Sequence, residues 1–255
     1  MTILILGGTA EARELAAALV AAGEDVLTSL AGRVSKPALP AGRVRIGGFG
    51  GADGLADFLR TDRVAAMVDA SHPFAARISA NAAAAAARTG TPLLRLERPG
   101  WADHQLADSW TWVPDAETAI LAAEDAHRPF LSTGRQSLGT FLAPAPRSWE
   151  SMPWTDRAVV VRVVDPPTVA LPPSWTMIIS RGPYRFDGER QLMIEHRIDT
   201  LITKDSGGTS TVAKLDAAHD LGISVVIIQR PAPAADGSTA TTVHQAVTWL
   251  RRPST

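Results

Sequence analysis

Lys204 and Asp205 leave an apolar run together and are followed at once by Ser206, Gly207 and Gly208, in the stretch ITKDSGGTSTVAKL. Lysine and aspartate can each hand over a proton at a fixed place, while two glycines let the backbone amides close on an anion. The order is wrong for a Walker A loop, where the lysine follows the glycines. A turn with an N-cap accounts for the Gly and Thr residues but not for the Lys-Asp pair.

The stretch LILGGTAEAR, residues 4–13, is a buried strand, a two-glycine turn and a helix start. Amides freed at that helix N-terminus, with the positive end of its dipole, suit a phosphate, and glycines let it come close. The full GxGxxG is absent, and a tight turn with Thr9 as N-cap explains the same residues. The next strand ends LTSLAGR, with no acid where an NAD site places one to hold the ribose. Ser29 and Arg33 suit a 2′-phosphate instead, which favours NADPH over NADH, although a solvated loop arginine remains the alternative.

Further candidates also follow apolar runs. VDASHPFAARISAN, residues 68–81, opens where ligands sit in an open α/β sheet, and it carries His72, a residue type able to exchange a proton near neutral pH. A histidine before a proline equally serves as a rigid loop residue. RLERPGW, residues 95–101, brings Arg95 and Arg98 to a strand end, where their planar forks suit carboxylates, or where they pair with Glu97. STGR at 132–135 and SRGPY at 180–184 repeat the pattern.

These residues must be held by elements. Apolar runs of strand length alternate with helical periodicity throughout, which predicts parallel sheets covered on both faces. Strands are expected at Ile3–Leu6, Val26–Leu30, Val64–Asp69 and Pro92–Leu96, then at Phe130–Ser132, Ala158–Val164, Thr176–Ser180, Thr200–Thr203 and Val225–Ile228. Helices are expected at Ala10–Ala22, Gly51–Arg60, Phe74–Thr89, Gln136–Leu142, Gly188–His196, Thr211–Leu221 and Thr242–Leu250, with a short helical pattern at Asp115–Ala126. Two domains follow, 1–125 and 126–255.

The 255 residues carry 25 Lys+Arg against 26 Asp+Glu, a net charge of −1, which argues against a general nucleic-acid binder. With no cysteine, disulfides, thiolate metal sites and Cys nucleophiles are excluded. No His/Asp/Glu spacing suggests a metal and no GxSxG elbow is present. No apolar stretch reaches a membrane-spanning length and the N-terminus lacks a basic leader, so the chain is expected in the cytoplasm.

Five blocks in order, LGGTAEAR, DASHPFAARISANA, RLERPGW, STGR and TKDSGGTSTVAKLDAAHDLGISVVIIQRP, resemble the precorrin-6A reductase family of cobalamin biosynthesis across residues 4–231. The resemblance implies two Rossmann-like domains with NADPH and substrate in a cleft between them. It also implies reduction of one carbon–carbon double bond of the macrocycle precorrin-6A to give precorrin-6B. A related branch reduces the cobalt-containing counterpart, usually with NADH. Ser71 stands where many members have Thr, and Ser210 where Gly is common.

The expectations are then specific. Lys204, Asp205 and His72 are the candidate proton donors. Cofactor contacts fall on Gly7, Gly8, Thr9, Ser29, Arg33, Asp69, Ser71, Thr133, Gly134 and Arg135. Contacts to the polycarboxylate substrate fall on Arg77, Arg95, Arg98, Arg181, Ser206, Gly207 and Gly208, and hand-over to the next pathway enzyme is envisaged. Another short-chain reductase or epimerase is disfavoured, because the single tyrosine, Tyr184, is followed by Gly188 where a Tyr-x-x-x-Lys pair needs lysine. A non-catalytic NADPH-binding protein of two lobes is the reading from a different class.

Overall fold

In the computed structural model β1 (Thr2–Leu6) is buried along its whole length, as a TILIL run must be when helices cover both faces of its sheet. The structure describes residues 2–32, 38–143, 152–232 and 237–251. After β1 come α1 (Ala10–Ala21), β2 (Asp25–Leu30), β3 (Arg43–Ile46), α2 (Gly51–Thr61), β4 (Val64–Asp69), α3 (Ala76–Thr89) and β5 (Leu93–Leu96). Then follow β6 (Thr111–Val113), α4 (Ala116–Ala122), β7 (Pro129–Ser132), α5 (Leu138–Leu142), β8 (Val160–Val163) and β9 (Thr176–Ile179). The chain ends with α6 (Phe186–Glu195), β10 (Thr200–Lys204), α7 (Ala213–Asp220), β11 (Ser224–Ile228), β12 (Ser238–Ala240) and α8 (Val243–Leu250).

The strands form two six-stranded sheets, ordered β12-β5-β4-β1-β2-β3 and β6-β11-β10-β7-β8-β9, with every described pairing parallel. Counted from β1 in one sheet and from β7 in the other, each reads third, second, first, fourth, fifth, with one further strand at the edge. Strand order therefore reverses between β1 and β4 in one sheet and between β7 and β10 in the other. At such a switch point the crossover helices leave toward opposite faces and open a crevice at the carboxyl ends of the strands.

The chain forms two compact units, Met1–Pro99 with Pro231–Thr255, and Gly100–Arg230. This differs from the division expected near residue 125. The 100–125 stretch belongs to the second unit because β6 pairs with β11, and the C-terminal segment belongs to the first because β12 pairs with β5. Both deciding strands are three residues long, too short for an alternation to be read from sequence.

Parity assigns the core of the first unit. Ile3 and Ile5 face one layer with Leu15 and Leu19 of α1, joined by Val243, Val247 and Trp249 of α8. Leu4 and Leu6 face the other with Leu55 and Leu59 of α2 and Ala82, Ala85 and Ala86 of α3. The alanine run lets α3 lie close to α2, and each fully buried leucine contributes about 1.5–3 kcal/mol. In the second unit Phe130, Leu201 and Ile227 pack with Met193 of α6 and Leu215 of α7. No helix among the described residues is long and apolar enough to cross a membrane.

Candidate active site: the carboxyl edges of the two sheets

In the first unit, β1 runs into Gly7, Gly8 and α1. Gly7 is irreplaceable on space, since a Cβ there would stand 2.7 Å from Thr28 Cγ2, and Gly8 has φ +122°, where other residues are strained. Thr9 caps α1 by accepting from the Ala12 amide at 3.1 Å, and its hydroxyl donates to the Ala70 carbonyl at 2.8 Å. That second bond ties the glycine turn to the loop after β4, across the switch point. The expected Thr9 cap is present, and the same turn leaves the first amides of α1 free at the place where the sequence suggests a phosphate.

Register sets the rest of this edge. Arg95 pairs with Asp69, Asp69 with Leu6, Leu6 with Ser29 and Ser29 with Arg45, so one transverse row crosses five strands. The residues expected at the site are brought together here, but their charges are largely spent on each other. Asp69, 2% exposed, pairs with Arg95 at 2.6 Å and accepts from the Ser71 amide at 3.1 Å. Arg95 also pairs with Glu97 at 2.9 Å and donates to the Ser71 and Ser79 hydroxyls. Arg98 pairs with Glu11 of α1 at 2.7 Å. These arginines brace the loops that surround the glycine turn, whereas the sequence places them as substrate contacts.

His72 is half-buried, and its Nδ1 accepts from the Phe74 amide at 3.2 Å, so Nε2 is the ring nitrogen able to carry the proton. Arg77 is exposed on the first turn of α3. Arg33 lies outside the described residues. Ser29 is buried, and its hydroxyl accepts from Arg45 Nη1 at 3.1 Å. No sequence signal marks Arg45, which sits in an edge strand, RVRI, that lacks a strand-like apolar run.

The second unit repeats the design. β7 runs into Ser132, Thr133, Gly134 (φ +79°) and Arg135, and Thr133 is buried, its hydroxyl making no hydrogen bond among the described residues. Arg135 donates to the Pro166 carbonyl at 3.2 Å, and Arg181 is exposed beyond β9. β10 ends at Lys204, half-buried, and that burial pushes its ammonium below the usual lysine range. Gly207 and Gly208 both take positive φ, near +64° and +68°, which only glycine does readily.

Lys204 and Asp205 leave the strand together and then part. Asp205 is 6% exposed, accepts from the Trp101 amide at 3.0 Å and pairs with Arg230 at 3.2 Å. It thus binds the residues by which the chain enters and leaves this unit, and its carboxylate is committed to that clasp rather than placed to donate a proton. A cavity of about 220 Å³ joins the expected loops, with Ser132, Gly134, Ser180 and Ser206 on its wall. Two buried cations that the sequence did not single out line it as well. Arg162 forms a two-pronged pair with Glu189 and lies 3.7 Å over the Tyr184 ring, and Lys214 donates to the Thr211 carbonyl and lies 4.8 Å over Trp101. One signal was available: an arginine in the middle of VVRV needs a buried acid. A depression of about 550 Å³ along β12 and α8 is lined, among the described residues, by Thr239, Thr241, His244, Gln245, Thr248 and Trp249.

Comparison with known proteins bears on this arrangement. Residues 2–251 match the family model described as precorrin-6x reductase CbiJ/CobK. A precorrin-6A reductase of Rhodococcus erythropolis is 49% identical over 97% of this chain and 96% of its own length, and one of Mycobacterium tuberculosis is 46% identical over the same shares. A solved structure titled CobK precorrin-6A reductase superposes with a TM-score of 0.88 at 39% identity, covering 98% of this chain and 96% of that one. Two parallel sheets with glycine turns at their switch points, matched end to end in sequence and in structure, are those of an oxidoreductase fold, and the chain belongs to the precorrin-6x reductase family.

Proposed function

We propose that this chain reduces one carbon–carbon double bond of precorrin-6A with NADPH, giving precorrin-6B, a step of cobalamin biosynthesis carried out in the cytoplasm. The observation that carries this reading is the Gly7-Gly8-Thr9 turn at the start of α1, a turn of the kind that receives a pyrophosphate, in a chain matched by the family over residues 2–251. NADPH, when bound, supplies the hydride that adds to one carbon of the double bond. A proton must then reach the neighbouring carbon.

The first unit holds the cofactor through the amides at the start of α1, with the turn fixed by Thr9 against Ala70. The second unit receives the macrocycle. Its carboxylates meet Arg181, Arg135 and the amides of the Gly207–Gly208 turn, contacts that gain strength where water is excluded. Lys204 is the candidate proton donor, since Asp205 is already committed and the depressed pKa of Lys204 eases proton release. His72 Nε2 is the alternative donor from the first unit. The product then passes to the enzyme that acts next on the corrinoid.

Mixing enzyme, NADPH and precorrin-6A should bleach the nicotinamide band with one NADPH consumed per macrocycle reduced. An unchanged band with competent substrate, alongside retained NADPH binding, would support a binding protein instead.

A further inference from the structure

Among the described residues, no acid pairs with the charge of Arg45. It ends the transverse row Arg95, Asp69, Leu6, Ser29, Arg45 at the carboxyl edge of the first sheet. Arg95 is neutralised there by Asp69 and Glu97, and Arg43, two residues before Arg45, by Asp25. Arg45 has only neutral partners among the described residues. Its Nη1 donates to the Ser29 hydroxyl and the Gly47 carbonyl, both at 3.1 Å, and its Nη2 to the Gly48 carbonyl at 3.2 Å. Its guanidinium carbon sits 3.8 Å from the Phe49 ring centre and 5.4 Å from that of Phe58.

A guanidinium stays protonated at any physiological pH, and three bonds leave two of its five N–H donors unused. The aromatic ring and the three acceptors fix its orientation without cancelling its charge. Such a group is prepared for a dianion with several acceptor oxygens, which a phosphate monoester supplies. The space around its loop is open as well: a Cβ built on Gly47 or Gly48 meets nothing within 4 Å.

Position names the phosphate. Two strand spacings separate Arg45 from Leu6, the residue before the glycine turn, about 10 Å in all. In a doubly wound sheet a dinucleotide bound over the first turn lays its adenosine ribose at the end of the second strand, where an acid marks NAD and an arginine marks a 2′-phosphate. The residues ending β2, Thr28 to Gly32, include no acid, and the hydroxyl at that position, Ser29, holds Arg45.

We propose that Arg45, oriented by Ser29 and Phe49, receives the 2′-phosphate of the cofactor and so sets the preference for NADPH. The inference rests on NADPH as cofactor, and the test separates the two. Binding of NADPH and NADH, and of 2′,5′-ADP and 5′-AMP, is measured by titration calorimetry on wild type, Arg45→Gln, Arg45→Lys and Arg33→Ala. Wild type should favour the 2′-phosphorylated member of each pair. Arg45→Gln should weaken NADPH and 2′,5′-ADP by about 10–100-fold and leave NADH and 5′-AMP within about threefold. Arg45→Lys, which keeps the charge without the fork, should fall between. A wild type that does not discriminate overturns the cofactor reading and this inference together. A wild type that discriminates while Arg45→Gln discriminates equally, or loses both members alike, overturns the role of Arg45 alone. So does a preference that disappears in Arg33→Ala and survives in Arg45→Gln.

Discussion

Burial makes Lys204 a better proton donor and a worse contributor to stability, and the two effects share one sign. Its folded-state pKa lies below that of the unfolded chain because burial disfavours the ammonium. The unfolded chain therefore binds the extra proton between the two values. Stability from this residue is present above the ordinary lysine range and is lost as pH falls through the depressed value. If Lys204 donates the proton, kcat/KM falls as pH rises through that depressed value, and the alkaline limb disappears in Lys204→Met while NADPH affinity stays within a few-fold. A limb that persists in Lys204→Met assigns it to another group. Residue types and spacing single out Lys204, Gly207, Gly208 and the Gly7–Gly8 turn as candidates. They could not divide Lys204 from Asp205, because the partners of Asp205 lie 104 residues away at Trp101 and 25 away at Arg230. For the same reason Arg95 and Arg98 read as ligands and prove to be paired with acids.

Interior strands were legible in the sequence, whereas three of the four edge strands were not, the exception being β9 with its apolar run TMII. Buried strands such as β1, β4, β10 and β11 stand within a residue or two of their expected spans, since burial on both faces demands a continuous apolar run. The missed strands, β3, β6 and β12, are all at sheet edges, three or four residues long, and half solvated, so neither length nor pattern marks them. Missing β3 hid Arg45. The Asp205 clasp gives a test at this scale. A Cβ on Gly100 would stand 2.5 Å from Asp205 Oδ2, and that carboxylate is held from two other sides. Gly100→Ala should lower the stability of the second unit by about 1–3 kcal/mol, read from the urea midpoint. A neutral effect would show that the carboxylate swings away without loss.

At the scale of the molecule, the first sheet takes its sixth strand from outside the run of chain that builds its other five, whereas all six strands of the second lie within one run, 100–230. The first unit takes β12 from beyond the second, and α8 then covers Leu94 and Leu96 with Val243, Val247 and Trp249. Ending the chain after Arg230 should leave β7, β8, β10 and β11 protected from hydrogen exchange while β4 and β5 lose protection. Equal protection in both units would show that the returning segment is dispensable. The same return fixes an order during synthesis. Residues 100–230 leave the ribosome as an uninterrupted run and can fold while translation continues. The first hundred residues must wait, with one face of their sheet only partly covered by α1, until the last twenty-five emerge. The half of the protein made first is therefore the half finished last, and it is the nascent, unfinished sheet that a chaperone would have most reason to meet.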